Sequence, residues 1–363
     1  MKKNKVLIIG PNINMSIHGG IVTHMKLLLS LNKFTNFNFE LESFTIGERT
    51  TVGEKIGIFN LIKSYTTFIT YLLGNNYKII HINASMKNGS IIKNSFVLLL
   101  AKLFFKKTIF QFHGGSTTDI SKKLLCFLKF IVYFSDKILI LTQEQAQIKN
   151  YLKHSHKNKI KKVPNFIAIE DKKVKNNKKE KELIHFLFVG RVIKEKGIFE
   201  LLEASKKLLD NKLNFKISIM GDGPELIPLK NRTKELNISK YFLFHGFITD
   251  DIKKQDIYTS ADIMIFPSHR EGFPYTILEA MLFSMPIIST HVGALKDIII
   301  ENENGFLINP QNSNELFEKM RYFILHPNKI NKMGKNSFDL VNNKYSILQM
   351  QTMLNNLYKE VLL

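Results

Sequence analysis

Two acids and two cations in the second half of this 363-residue chain have the types and spacing that chemistry would need. Glu271 and Glu279 stand in Ser268-His269-Arg270-Glu271-Gly272-Phe273-Pro274-Tyr275, continued to Glu279-Ala280, with seven residues between the two acids. Pro274 suits the first turn of a helix, where its missing N–H has no intrahelical partner. Glu279 is therefore expected on that helix and Glu271 in the loop before it. The backbone groups of Gly272, Phe273, Pro274 and Tyr275 then border a ligand. A loop carboxylate accepts hydrogen bonds from sugar hydroxyls, and a helix carboxylate suits a ribose diol. The cations are Arg191 and Lys196, in a loop that opens with Gly190 and closes with Gly197, directly after the apolar run 185–189. Arginine forks onto pairs of oxygens and lysine adds a point charge, a combination suited to a diphosphate.

Glycine-bearing turns accompany these residues. Gly221-Asp222-Gly223-Pro224 and His245-Gly246-Phe247 each follow an apolar run. In the first half, Gly19-Gly20 lies between the run Val6–Ile9 and a helix expected from about Val22. Paired glycines let backbone N–H groups approach a phosphate, and a helix N-terminus adds partial positive charge. The pair is not the Gly-x-Gly-x-x-Gly fingerprint of dinucleotide binding, which argues against a nicotinamide enzyme. His113 ends the run Thr108–Phe112 and precedes two glycines. In an open parallel sheet the carboxyl ends of strands face the ligand crevice, so His113 is expected within reach of a substrate.

The elements that must position these groups follow from the pattern. Short apolar, β-branched runs alternate with longer amphipathic stretches, which predicts βα units around parallel sheets. One series of strands is Val6–Ile9, Ile79–Ile82, Thr108–Phe112 and Ile138–Thr142; a second is His185–Val189, Lys216–Met220, Tyr241–Phe244, Ile263–Phe266 and Ile287–Ser289. The charge-dense stretch Asp171–Glu182 cannot bury a face and reads as an exposed loop near a junction. The expected organisation is an N-terminal α/β domain over 1–165, a C-terminal one over 166–344 and a helical tail over 345–363.

The charge is uneven. The chain carries +21 overall, yet residues 1–165 hold 24 Lys and Arg against 7 Asp and Glu, while residues 166–363 hold 28 against 24. Such a field attracts polyanions, either nucleic acid or an anionic membrane surface. The stretches Ile91–Lys107 and Ser121–Lys137 are both apolar and basic, a pattern of interfacial helices as well as of ordinary ones with a lysine-rich solvent face. A single cysteine, Cys126, excludes an intrachain disulfide and fits a reducing cytosol. No run of eighteen apolar residues predicts a spanning helix, and the N-terminal apolar run is too short for a signal peptide.

Taken in order, Gly190-Arg191, Lys196-Gly197, Gly221 to Pro224, Ser268 to Ala280 and Glu301 to Leu307 resemble the motifs of glycosyltransferase family 4. Gly19-Gly20, His113 and Pro164-Asn165 resemble the family's N-terminal and interdomain patterns. The resemblance implies a GT-B fold, two Rossmann-like domains facing a central cleft, with the C-terminal helix returning to the N-terminal domain. It implies a retaining hexosyltransferase that takes a UDP- or GDP-sugar to a hydroxyl of a glycan or lipid-linked acceptor, in bacterial surface polysaccharide (O-antigen or capsule) synthesis. By resemblance, Arg191 and Lys196 hold the diphosphate, Glu271 and His113 meet the donor sugar, and Glu279 meets the ribose. Gly190, Gly221, Gly246 and the backbone of Gly272–Tyr275 border the donor, and Gly19-Gly20 the acceptor or phosphate. Front-face attack is implied, since no nucleophile is evident. No spaced Asp-x-Asp occurs in a suitable loop and Asp250-Asp251 reads as a helix cap, so neither a metal nor any other cofactor is expected. The chain departs from the family at Phe166, where glycine is common, and at Ala294. The expected location is the cytoplasm, at the inner face of the plasma membrane, with no nucleic-acid partner. A sugar-nucleotide epimerase on the same fold and a basic nucleic-acid-binding protein are the alternatives.

Overall fold

The computed structural model describes residues 3–13, 19–47, 57–115, 121, 125–142, 145–151, 158–169 and 183–363; His18 and the charge-dense stretch 171–182 lie outside the described residues. The chain forms two compact units, Met1–Ala168 with Ile347–Leu363, and Ile169–Ser346. These breaks fall a few residues beyond 165 and 344.

In the first unit six parallel strands, β1 (Asn4–Ile9), β2 (Phe39–Phe44), β3 (Tyr77–Ala84), β4 (Lys107–Phe112), β5 (Lys137–Ile140) and β6 (Ile160–Lys162), lie in the order β2-β1-β3-β4-β5-β6. Helices cover both faces, which is why the central strands are apolar throughout rather than alternating. Successive side chains still part to opposite faces. Val6 and Ile8 of β1 join one core with α1 (Gly20–Ser30) and the C-terminal helix α12 (Ile347–Leu362). Leu7 and Ile9 join the other core, with α2 (Ile58–Gly74), α3 (Asn88–Leu103) and α4 (Leu125–Phe134). Helix α1 starts two residues before the expected Val22, because extended Gly19 caps it. The tail docks on this unit through Met350, Leu354, Leu357, Tyr358 and Val361, a three-and-four spacing that turns one face inward.

The second unit is built alike from β7 (Ile184–Val189), β8 (Phe215–Met220), β9 (Phe242–Gly246), β10 (Ile263–Phe266), β11 (Ile287–Thr290) and β12 (Gly305–Ile308), in the order β12-β11-β10-β7-β8-β9. Around this sheet lie α5 (Ile198–Asp210), α6 (Leu226–Glu235), α7 (Asp251–Ser260), α8 (Tyr275–Leu282), α9 (Leu295–Ile298), α10 (Ser313–Leu325) and α11 (Asn328–Lys344). Its core runs from Phe186 and Phe188 through Ile217, Ile219 and Ile265 to Leu316 and Phe323, all buried. The two units, each a parallel sheet wrapped by helices, are those of the GT-B fold. Among the described residues no helix is long and apolar enough to cross a membrane.

Candidate active site

Parallel pairing brings the carboxyl ends of β7, β8, β9, β10 and β11 to one edge of the second sheet. Nearly all the sequence-selected residues of this unit lie in the loops and helix starts along that edge. The loops interlock by backbone contact, and that is what their glycines are for. A Cβ on Gly221, whose φ is +147°, would lie 1.8 Å from the Gly190 carbonyl oxygen. The Gly190 N–H donates to Met220 O at 3.0 Å and the Gly221 N–H to Gly246 O at 2.8 Å. Gly190, Gly221 and Gly246 are thereby joined into one stitched edge, with the amides of the first two already engaged.

The loop after β7 turns through Lys194–Lys196 and closes at Gly197, in the left-handed region with φ of +70°. A Cβ there would stand 2.0 Å from the Pro267 carbonyl oxygen, so only glycine lets this loop seat against the loop after β10. The Glu195 carbonyl accepts from the His269 N–H at 2.9 Å and from Ser268 Oγ at 3.1 Å. This seating brings Lys196 and Glu271 together: Lys196 Nζ forms an ion pair with Glu271 Oε1, to which Ser268 Oγ also donates at 2.7 Å. Lys196 Nζ lies 5.2 Å from the centre of the Phe266 ring. The pair is largely shielded, with 19% and 10% of the two side chains exposed, so little solvent screens it. Arg191, at the start of the same loop, is exposed and has no acidic partner among the described residues. Gly293 backs onto the Glu271 carbonyl, and the Ala294 N–H donates to Gly272 O at 2.9 Å. Ala294 therefore still permits the tight loop.

Glu279 sits apart from that pair on α8, whose N-cap is Pro274. Lys254 Nζ donates to its Oε1 at 2.6 Å and the Tyr258 hydroxyl to its Oε2 at 2.7 Å. Tyr258 is buried and stacked on Phe283 with ring centres 5.0 Å apart. Burial, and then the Glu279 charge, push its phenol well above the ordinary value, so it stays a donor. Sequence reasoning missed Lys254 and Tyr258. Their four-residue spacing on α7 puts both on one face, but nothing local says that this face meets α8. Asp250 does cap α7, accepting from the Ile252 and Lys253 N–H groups at 2.8 and 3.1 Å. The side chains of Phe273 and Tyr275 are buried, Phe273 edge-on to Tyr345, so what these residues can offer a ligand is backbone.

In the first unit, His113 follows the carboxyl end of β4 and is buried. Its Nε2 donates to Asn83 Oδ1 at 2.8 Å, and its ring lies 4.4 Å from that of His24. His81, on β3, bridges Tyr358 at 2.9 Å and Gln111 at 3.0 Å. Burial above all, reinforced by the neighbouring histidines, keeps His113 well below its ordinary pKa; His24 is lowered to about 3 by burial and then His81, and His81 to about 4 by burial. His113 is thus a neutral hydrogen-bonding group at pH 7. His24 and His81 were not anticipated. Gly19 and Gly20 open α1 exposed, and the Gly19 carbonyl accepts from the Thr23 N–H at 3.0 Å.

One edge of strand ends thus bears a shielded Lys–Glu pair, an exposed arginine and a braced helix carboxylate. Residues 168–339 match the family described as glycosyl transferases group 1. That match covers 172 of the 363 residues and lies almost wholly in the second unit. The chain is 27% identical over 343 residues to an uncharacterized glycosyltransferase of Methanocaldococcus jannaschii, covering 92% of each chain. It is 26% identical over 262 residues to the capsular polysaccharide biosynthesis glycosyltransferase CapM of Staphylococcus aureus, covering 64% of this chain and 67% of that one. Among solved structures, HepE of Anabaena in complex with UDP and glucose superposes with a TM-score of 0.73 at 14% identity, over 98% of this chain and 100% of that one. That likeness is one of fold.

Proposed function

We propose that this protein is a retaining hexosyltransferase that uses a UDP- or GDP-sugar and acts on a hydroxyl of a glycan or lipid-linked acceptor. The observation that carries the reading is the Lys196–Glu271–Ser268 junction, with exposed Arg191 at the start of the loop that holds Lys196. In glycosyl transfer the bond between the anomeric carbon and the diphosphate oxygen breaks, and negative charge grows on the departing diphosphate. Two cations, shielded Lys196 and exposed Arg191, would stabilise that charge without a divalent ion. Lys196 would then exchange its contact with Glu271 for the diphosphate, leaving the Glu271 carboxylate to accept from donor hydroxyls. Glu279, braced by Tyr258 and Lys254, would take the ribose diol. For retention, the acceptor oxygen attacks from the face the diphosphate leaves, and the acceptor proton passes to the departing phosphate oxygen. Neutral His113 suits a hydrogen bond to a sugar hydroxyl rather than a charge on phosphate. The likeness to a capsular polysaccharide enzyme and the basic first half support an acceptor at the inner face of the plasma membrane, in surface polysaccharide assembly.

The test is a thermal-shift panel of UDP-, GDP-, ADP- and TDP-sugars. The preferred donor is then incubated with candidate acceptors in EDTA, and the new linkage is read by NMR. A binder present at 100 times its Kd should stabilise the fold by about 2.7 kcal/mol. An inverted anomer, or turnover lost in EDTA and restored by a divalent ion, would overturn the reading at that point.

A further inference from the structure

Helices α3 and α4 pack side by side on the first sheet, and their outer faces carry apolar side chains that no described element covers. Phe96, Leu99 and Leu103 follow one another along one face of α3, and each is more than two-fifths exposed. Between the helices Phe96, Leu99, Phe127 and Phe130 line a cavity of about 280 Å³. At the end of α3 stands Phe105, 96% exposed and with φ of +53°. Its N–H donates to Lys102 O at 3.0 Å and that of Lys106 to Ala101 O at 2.9 Å. This pair of bonds closes a helix with a left-handed residue, a position that glycine usually fills. A bulky side chain there is strained, and one so exposed gains no core packing in return. Stability therefore does not account for a phenylalanine at 105.

The charge around it has one sign. Lys106 and Lys107 follow Phe105 directly, and Lys129 is exposed on α4. Asp136, the acid at this edge, is taken up by Lys102 Nζ at 2.5 Å and by the Thr108 N–H at 2.6 Å. Burial, and then the nearby charge of Lys78, lower the pKa of Lys106, which has no acidic partner among the described residues. Apolar side chains ringed by unanswered lysines match an anionic bilayer, where rings enter the interface and cations meet headgroups. A second copy of the chain fits poorly, because each copy carries +21 and would present the same cations to the other.

We propose that the α3–α4 face is a docking surface for an anionic phospholipid bilayer, anchored by Phe105 with Leu103, Leu99 and Phe96, and held by Lys106 and Lys129. The proposal rests on the reading of a membrane-surface acceptor given above, and names the part of the chain that meets that surface.

Flotation with phosphatidylglycerol/phosphatidylcholine vesicles, and with phosphatidylcholine alone, tests it without any sugar nucleotide. Failure there leaves the transferase reading standing. The wild-type chain should float with the anionic vesicles and be released by high salt. Lys106→Gln with Lys129→Gln should weaken partitioning by roughly thirtyfold, since one lysine near such a surface contributes about a factor of five. Phe105→Gly is the sharper variant, because glycine suits the left-handed position. It should raise the melting temperature, keep turnover of a soluble acceptor analogue and lose vesicle binding. Equal binding by wild type and Phe105→Gly would overturn the proposal. So would absence of flotation with anionic vesicles at low salt, or a salt-stable dimer that Phe105→Gly converts to monomer.

Discussion

At the scale of single residues, the sharpest expectations concern groups that meet charge. Lys196→Ala and Arg191→Ala should each lower kcat with little change in donor KM. The cost is about 2–4 kcal/mol in the barrier if they behave as preorganised charge stabilisers. Steady-state kinetics with the preferred donor checks this, and wild-type turnover in both variants would remove the assigned role. Tyr258→Phe asks a different question. It deletes one hydrogen bond to Glu279 Oε2 while leaving Lys254 on Oε1. A hydrogen bond to a charged group contributes about 1.5–3 kcal/mol. Donor KM should therefore rise by about tenfold or more while kcat moves little. A fall confined to kcat would mean that Glu279 does not act in donor binding. The types of Arg191, Lys196, Glu271 and Glu279 were legible in the sequence because charged residues after apolar runs stand out. Their pairing was not. That Lys196 meets Glu271 depends on two loops 75 residues apart, and that Tyr258 and Lys254 brace Glu279 depends on how α7 packs on α8.

At the scale of elements, close backbone approach seats the loops, and side-chain bonds such as Ser268 Oγ to Glu195 O add to it. Gly197→Ala tests this most directly. The new methyl would meet Pro267 O at 2.0 Å in a left-handed backbone. The two loops must separate or the turn must refold, which moves Lys196 away from Glu271. The expected result is a loss of stability of about 1–3 kcal/mol, the usual scale for such backbone strain, with turnover falling further than in Lys196→Ala. Chemical denaturation beside kinetics decides it, and an alanine variant of native stability and rate would show that the loops do not depend on this contact. The central strands of both sheets were readable, since a strand covered on both faces is a continuous apolar run. The strands missed, β2, β6 and β12, are all edge strands. In β2 the run Phe39-Glu40-Leu41-Glu42 alternates, its acids meeting Lys5 at 3.6 and 2.6 Å. β6 is one isoleucine followed by two lysines, and β12 opens on glycine after the polar stretch Glu301–Asn304, so neither stands out as a β-branched run.

At the scale of the whole molecule, the first unit's two sequence segments are joined where a histidine cluster is buried. The α12 residue Tyr358 bonds His81 of β3; His24 of α1 and His113 at the end of β4 lie with it, and Gln111 and Asn83 supply the neutral partners. The partners named here are neutral, so a proton taken up would be a buried charge with no carboxylate among these bonds to meet it. The folded pKa values of His24 and His81, about 3 and about 4, lie below the unfolded value near 6.5. At neutral pH both states hold these rings neutral and the full stability is present. As pH falls below about 6.5 the unfolded chain takes up protons that the folded one refuses. Each ring then removes about 1.4 kcal/mol per pH unit until the folded pKa is reached. His113, lowered in the same sense, adds to the slope. Carboxylates do not mask this window. Glu315, held low by the Asn309 backbone N–H, and Glu360, held low by Lys137, lose their contribution only as pH drops below the ordinary carboxylate range. Melting temperature should therefore decline between pH 6.5 and 5, and His81→Gln, which keeps a polar group but cannot be protonated, should flatten that decline while lowering stability at pH 7. A melting temperature constant from pH 7 to pH 5 would mean that the cluster either takes up protons in the folded state or is open to water.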